Sequence, residues 1–168
     1  MQKKILYKFL ILTICFTCSA SSVEIINGTP KIIDGDTIII EQYKIRLHGI
    51  DAPEKKQICK KIYLNIGFLN FSKKYHCGKV ATNKLKKKIN YKNLKCELKK
   101  NKDFYNRYLG TCFLNKININ SWMVRNGYAI AYKRYSKKYI QDEKYAKKNK
   151  LGLWSGSFEI PEKWRKNN

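Results

Sequence analysis

Apolar positions along the chain fall first in short β-branched runs, then in a helical repeat, then in runs again. Residues 23–26, 31–33 and 37–40 (TIII) are such runs, the last two divided by Asp34-Gly35-Asp36. Residues 45–50 follow a polar corner at Glu41-Gln42-Tyr43. Runs of this length with turn residues between them predict strands at hairpin spacing. Residues 51–75 hold Pro53 and a lysine cluster but little periodicity, which predicts a long irregular connection, functional or mobile. From 77 to 89, Ala81, Leu85 and Ile89 recur every fourth residue with Val80 beside them, and lysines fill the other face. That spacing predicts an amphipathic helix. Residues 94–98 and 108–114 alternate as a strand pair. Asn120 is placed to cap a short helix running through Val124 and Arg125 and stopped by Gly127. A last helix is predicted over 137–150, ahead of Gly152. This order of elements predicts an α+β domain with a closed or nearly closed sheet. It spans 21–168 as one unit and ends in a short polar tail that holds Trp164.

Composition and charge narrow the picture. Hydrophobic residues make up 43% of the 168, with only 9 Gly and 3 Pro, which excludes collagen-like and wholly disordered chains. Lys and Arg number 36 against 12 acids, a formal charge of +24. Such a charge favours polyanionic partners and makes their capture salt-sensitive. Lysines on every face of the predicted helices also point to a compositional bias toward Lys, Ile and Asn. At the N-terminus, Lys3, Lys4 and Lys8 precede an apolar run over 9–16 and the small residues Ser19 and Ala20. The pattern predicts an export signal over 1–20, with delivery to the periplasm or release from the cell; retention as an anchor is the alternative. No later run approaches spanning length, so no stable membrane association is expected once the signal is cleaved.

Cysteines fit an exported chain. Cys15 and Cys18 lie within the predicted signal. Cys59, Cys77, Cys96 and Cys112 remain, an even number that favours disulfides and permits three connectivities. Of these, Cys59–Cys77 across a loop and Cys96–Cys112 across a hairpin are favoured. The spacing is not that of a zinc site.

Candidate chemistry sits in three short clusters: Asp34-Gly35-Asp36-Thr37, the stretch from Arg46 through Asp51 to Glu54, and Asp103-Phe104-Tyr105-Asn106-Arg107. Alone, each reads as a turn or a surface ion pair. Together they supply carboxylates for a hard divalent cation, arginines for phosphate oxygens, and a carboxylate to orient or deprotonate water. That is a recipe for metal-assisted phosphodiester hydrolysis. One geometric condition attaches to it. Arg46 and Asp51 are five residues apart, so they converge only if the strand ends or bulges near Gly49. With this set in place, neither His48 nor His76 is needed as a base.

In order and spacing, these clusters resemble the motifs of the thermonuclease (staphylococcal nuclease-like) family. The run Arg46–Glu54 matches R-x-x-x-x-D-x-P-E, and residues 103–107 match D-x-Y-G-R with Asn106 in place of Gly. Residues 120–127 and 146–154 (AKKNKLGLW) match its C-terminal helices and the Trp after them. The resemblance implies an OB-fold-like five-stranded β-barrel with three α-helices. It further implies a monomeric, calcium-dependent endonuclease acting on single- and double-stranded DNA and on RNA, leaving 3′-phosphate ends. Asp36, Asp51 and the backbone carbonyl of Ala52 would bind Ca2+, and Glu54 would position or activate water. Arg46 and Arg107 would grip the phosphate, and Tyr105 and Tyr132 would flank the nucleotide. Ala52 replaces a frequent Thr, and Phe104 stands where a basic residue often sits. The alternative is a noncatalytic cationic OB-fold protein that binds extracellular DNA or anionic surfaces.

Overall fold

The computed structural model describes residues 23–168; the segment read as an export signal lies outside them. In chain order these residues form β1 (Glu24–Gly28), β2 (Lys31–Ile32), β3 (Thr37–Ile40), β4 (Tyr43–Leu47), β5 (Ile50–Asp51), β6 (Ile58–Ile66), β7 (Leu69–His76) and α1 (Cys77–Ile89). There follow β8 (Leu94–Lys102), β9 (Tyr108–Leu114), β10 (Ile117–Asn118), α2 (Ile119–Arg125), β11 (Ile130–Ala131) and α3 (Ile140–Lys148). A 3-10 turn (Gly152–Ser155), β12 (Gly156–Ser157) and α4 (Pro161–Asn167) complete the chain.

The main sheet runs β1-β8-β9-β4-β3-β2, with β10 beside β9. All its pairings are antiparallel except β4 with β9. Its two end strands are consecutive in the chain, parted only by Thr29 and Pro30. The N-terminal run thus pairs with β8 through its first half and with β3 through its second. Proline has no N–H to give a ladder, so the change of partner falls there. Counted as chain segments, the path is five-stranded and curls back to where it began, the OB-like arrangement.

Alternation sets which side chains fill it. Ile38, Ile40, Ile45 and Leu47 are buried in the core, and so are Ala81, Leu85 and Ile89 of α1. The helix from Cys77 to Ile89 therefore falls where the four-residue repeat predicts it. Lysines occupy the last turn of α1, where positive charge suits the helix dipole. Both favoured disulfides are present: Cys59–Cys77 joins the start of β6 to the start of α1, and Cys96–Cys112 bridges directly paired positions of β8 and β9.

Three expectations are corrected. Residues 51–75 are not an irregular connection: β6 and β7 form an antiparallel hairpin turning at Gly67 and Phe68, with Gly67 at φ +55°. Most of its positions are exposed on both faces, so no burial alternation marks it in the sequence. The N-cap of α2 is Asn118, whose side chain accepts from the Ser121 N–H at 3.0 Å. Asn120 is instead buried: its Oδ1 accepts from Cys112 N at 3.1 Å, and its Nδ2 donates to the carbonyls of His48 at 3.0 Å and Gly110 at 3.1 Å. The polar tail is a fourth helix, α4, which begins at Pro161 and raises the count among the described residues from three to four.

Candidate active site

Asp36 sits at the turn that enters β3 and is buried. Its own N–H is fixed by Asp34 Oδ1 at 3.0 Å, and its Oδ2 accepts from the Ala52 N–H at 3.0 Å. Its Oδ1 accepts from Arg46 Nη1 at 3.2 Å, because Arg46 lies opposite Thr37 in the β3–β4 register. The second Nη of Arg46 donates to Asp51 Oδ1 at 2.9 Å. Asp51 is wholly buried on β5, which pairs it with Ile130 of β11. The condition on Gly49 is met: it adopts φ +79° and turns the chain between β4 and β5.

Arg107 comes from the loop before β9. The Asp103 carboxylate pairs with its guanidinium at 2.7 Å and accepts from its backbone N–H at 2.9 Å, and Nη1 donates to Thr37 Oγ1 at 3.3 Å. Asn106 takes φ +58° in this turn, so Asn serves in the position where the motif has Gly. Burial works against the Asp103 charge, but Arg107 outweighs it and holds the carboxyl below its usual range.

Glu54 is placed by Gln57, which is wholly buried. Gln57 Oε1 accepts from Glu54 N at 3.3 Å, and the Gln57 N–H donates to the Glu54 carbonyl at 2.8 Å. Gly78 of α1 packs so closely against the Glu54 carbonyl that a Cβ has no room. The Glu54 carboxylate, partly exposed, accepts from Arg165 Nη1 at 3.0 Å, and Arg165 Nη2 donates to Asp51 Oδ1 at 2.8 Å. Arg165 belongs to α4 and was not among the residues singled out in the sequence. The helix-start signal Pro161-Glu162 ahead of Trp164 and Arg165 was the available clue.

These groups share a cavity of about 390 Å³ lined by Asp36, Arg46, Glu54, Arg107, Tyr132 and Arg165 among others. Burial, and then Asp36, push the Asp34 carboxyl on its wall up to about 6. Burial likewise pushes Asp51 upward, with Arg165 pulling the other way and Asp36 adding to the rise. The Tyr132 N–H donates to the Gly49 carbonyl at 2.9 Å, and burial followed by Glu162 pushes its phenol up to about 12. Tyr105 is 76% exposed and does not line the cavity; Phe104 does, and the Arg107 guanidinium lies 5.3 Å from the Tyr105 ring centre. Beside Lys99 Nζ at 2.7 Å, the His48 imidazole is held down in pKa by burial first and then by that lysine.

The donor set suits a hard cation. Asp51 Oδ2 is buried with no hydrogen-bond partner, an uncompensated oxygen where positive charge is favourable. Among the described residues no three His, Cys, Asp or Glu side chains gather as a cage. A cation at Asp36 and Asp51 would therefore keep much of its shell as water, within the range calcium accepts.

The profile of the family described as staphylococcal nuclease homologue matches residues 44–156. An uncharacterised endonuclease of Haemophilus influenzae is 33% identical, over 98% of this chain and 86% of that protein. Succinoglycan biosynthesis protein ExoI of Rhizobium meliloti is 31% identical, over 82% of this chain and 69% of that protein. Probable staphylococcal-like nuclease CAN3 of Oryza sativa is 32% identical, over 78% of this chain and 30% of that protein.

Proposed function

The chain belongs to the staphylococcal nuclease homologue family and is a nuclease by that membership, and we propose that it is an exported, calcium-dependent endonuclease cutting DNA and RNA to leave 3′-phosphate ends. One observation carries the reading: Asp36, Arg46, Glu54 and Arg107, from all three clusters, face a single cavity. Asp36, Asp51 and the Ala52 carbonyl would hold the calcium ion, which when bound supplies a Lewis acid beside the phosphate. The chain's own groups do the rest.

Arg46 and Arg107 hold the non-bridging oxygens and offset the negative charge that builds at phosphorus. Their carboxylate partners keep both guanidinium groups aimed before substrate arrives, so little reorganisation is needed at the reaction step. Glu54 orients the attacking water and accepts its proton. Loss of the 5′-oxygen from phosphorus leaves the phosphate on the 3′ side. Tyr132 on the cavity wall flanks the nucleotide, and Tyr105, stacked near Arg107, meets the strand outside it. The cationic exterior draws the polyanion in.

The test uses oxidatively folded protein with single- and double-stranded DNA and RNA, in calcium, in magnesium and in a chelator. Degradation is expected in calcium, to be lost in the chelator and in Glu54→Gln. Salt-sensitive binding without degradation in every condition would favour the cationic binder instead.

A further inference from the structure

Arg165 pairs with two carboxylates in ways the fold does not require. Asp51 Oδ1 already accepts from Arg46 at 2.9 Å, so its buried charge has a partner without Arg165. The helix that carries Arg165 is also held independently. Pro161 is buried, and Gln57 Nε2 donates to the carbonyl of Glu159, just ahead of the helix, at 2.7 Å. Burial disfavours charge on Arg165, but Asp51 and Glu54 outweigh it and keep the guanidinium protonated. Its side chain is 31% exposed and lines the same cavity as Arg46 and Arg107.

The partners of Arg107 and Arg165 differ in kind, while Arg46 pairs with Asp36 and Asp51, the two carboxylates that would hold the cation. Arg107 is braced by Asp103, a residue with no part in the proposed chemistry. Both partners of Arg165 are groups the reaction would engage: Asp51 by the cation, Glu54 by water. Positive charge arriving at Asp51 weakens its attraction for Arg165 and repels the guanidinium, leaving Nη2 without its acceptor while Nη1 shares Glu54 with the water. Phosphate oxygens of a strand in the cavity match its planar donor fork.

Resting on the nuclease reading, we infer that Arg165 is a third phosphate-binding arginine, supplied by the C-terminal helix, that exchanges Asp51 and Glu54 for phosphate oxygens when nucleic acid binds. It adds a contact to the substrate backbone that Arg46 and Arg107 do not provide.

The probe is a labelled single-stranded phosphorothioate oligonucleotide, which resists cleavage, followed by fluorescence anisotropy in calcium across a salt series. For full-length Arg165→Gln the affinity is expected to fall about tenfold, the loss of one hydrogen bond to a charged group. The slope of log affinity against log salt should shrink by about 0.7, one single-strand phosphate contact. Arg165→Lys should keep the slope and recover part of the affinity. Calcium titration of the Gln variant by calorimetry, without nucleic acid, should show binding as tight as wild type or tighter. Affinity and slope equal to wild type would overturn the inference, as would weaker calcium binding, which would make Arg165 a support for Asp51. The binding comparison needs no turnover. A wild-type protein that binds but never cleaves would overturn the nuclease reading, and a cleaving protein indifferent to Arg165 would overturn this inference alone.

Discussion

Arg46 Nη2 donates to Asp51 Oδ1 at 2.9 Å while the same guanidinium donates to Asp36 Oδ1 at 3.2 Å, so one side chain holds two buried carboxylates. The bond to Asp51 crosses a turn. Gly49, at φ +79°, reverses the chain between β4 and β5, and the Tyr132 N–H pins its carbonyl from the far side. Asn120 fixes the preceding carbonyl, that of His48, from α2. Tyr132 and Asn120 thus hold, from two other parts of the chain, the turn that presents Asp51.

That makes Gly49→Ala informative. The left-handed backbone costs a non-glycine residue about 1 kcal/mol, and a Cβ would lie 2.8 Å from that of Ser136. With overpacking added, a loss of about 2–4 kcal/mol of stability is expected, together with a clear fall in nuclease activity because Asp51 shifts relative to Arg46. Urea unfolding and a DNA cleavage assay on the same sample read both. Full activity in the alanine protein would show that the turn does not position Asp51.

Arg46→Ala removes the charge that Asp36 and Asp51 share. Breaking a buried pair by deleting one partner costs about 3–5 kcal/mol, since the remaining charge stays uncompensated. Arg165 still reaches Asp51 but not Asp36, so the lower end of that range is expected. Arg107→Ala, whose partner Asp103 is less buried, should be nearly as damaging to cleavage but milder to stability. Comparing urea midpoints with cleavage rates for the two variants tests the difference. Equal stability losses would mean that Asp36 has no need of Arg46 in the fold.

Some of this was legible beforehand for physical reasons. Ala81, Leu85 and Ile89 repeat at helical spacing because the core demands it, so α1 was readable. The acids and arginines were readable because their order and spacing survive as motifs. The hairpin of β6 and β7 was not, since its strands bury little and local composition carried no period. Asn120 looked like a cap because Asn usually is one; that it satisfies Cys112 N and two carbonyls depends on contacts across 8, 10 and 72 residues. Arg165 lies 111 residues from Glu54, and nothing local reveals such a pairing.

Gly78→Ala tests how Glu54 is placed. The new Cβ would fall on the Glu54 carbonyl and within 2.8 Å of Lys55 N, both backbone atoms that cannot rotate aside. Since Gly78 follows the disulfide-tied Cys77, the helix cannot easily retreat, and the Glu54 segment must move. A misplacement of about 1 Å can cost about a hundredfold in rate, so kcat/KM on DNA should fall by at least about tenfold. The protein should still fold with both disulfides intact, checked by non-reducing peptide mapping. Unchanged kcat/KM would show that Glu54 finds its position without this packing.

Glu143 gives the clearest pH dependence. It is buried on α3, its Oε2 accepts from the Ala131 N–H at 3.0 Å, and its Oε1 accepts from Lys133 at 3.1 Å and Lys147 at 2.6 Å. Burial raises its pKa, but Lys147, Lys133 and the Ala131 N–H outweigh that and hold it below the usual range. The folded state therefore binds fewer protons than the unfolded one between the depressed value and the ordinary one near about 4.3, and stability rises with pH across that window. The contribution is complete above the ordinary carboxylate range and is lost as pH falls through the depressed value. Glu143→Gln keeps an acceptor for Ala131 but gives up both charged pairs, so it should cost about 1–3 kcal/mol at pH 7, with the deficit narrowing below pH of about 4. Urea midpoints of both proteins between pH 7 and pH 3 read this directly. A deficit that stays constant over the whole range would mean that the lysines add nothing and that only the shape of the side chain matters. Because β11 pairs Ile130 with Asp51, the same variant should also loosen the strand that backs the active site, seen as faster amide exchange at Ile130 and Ala131.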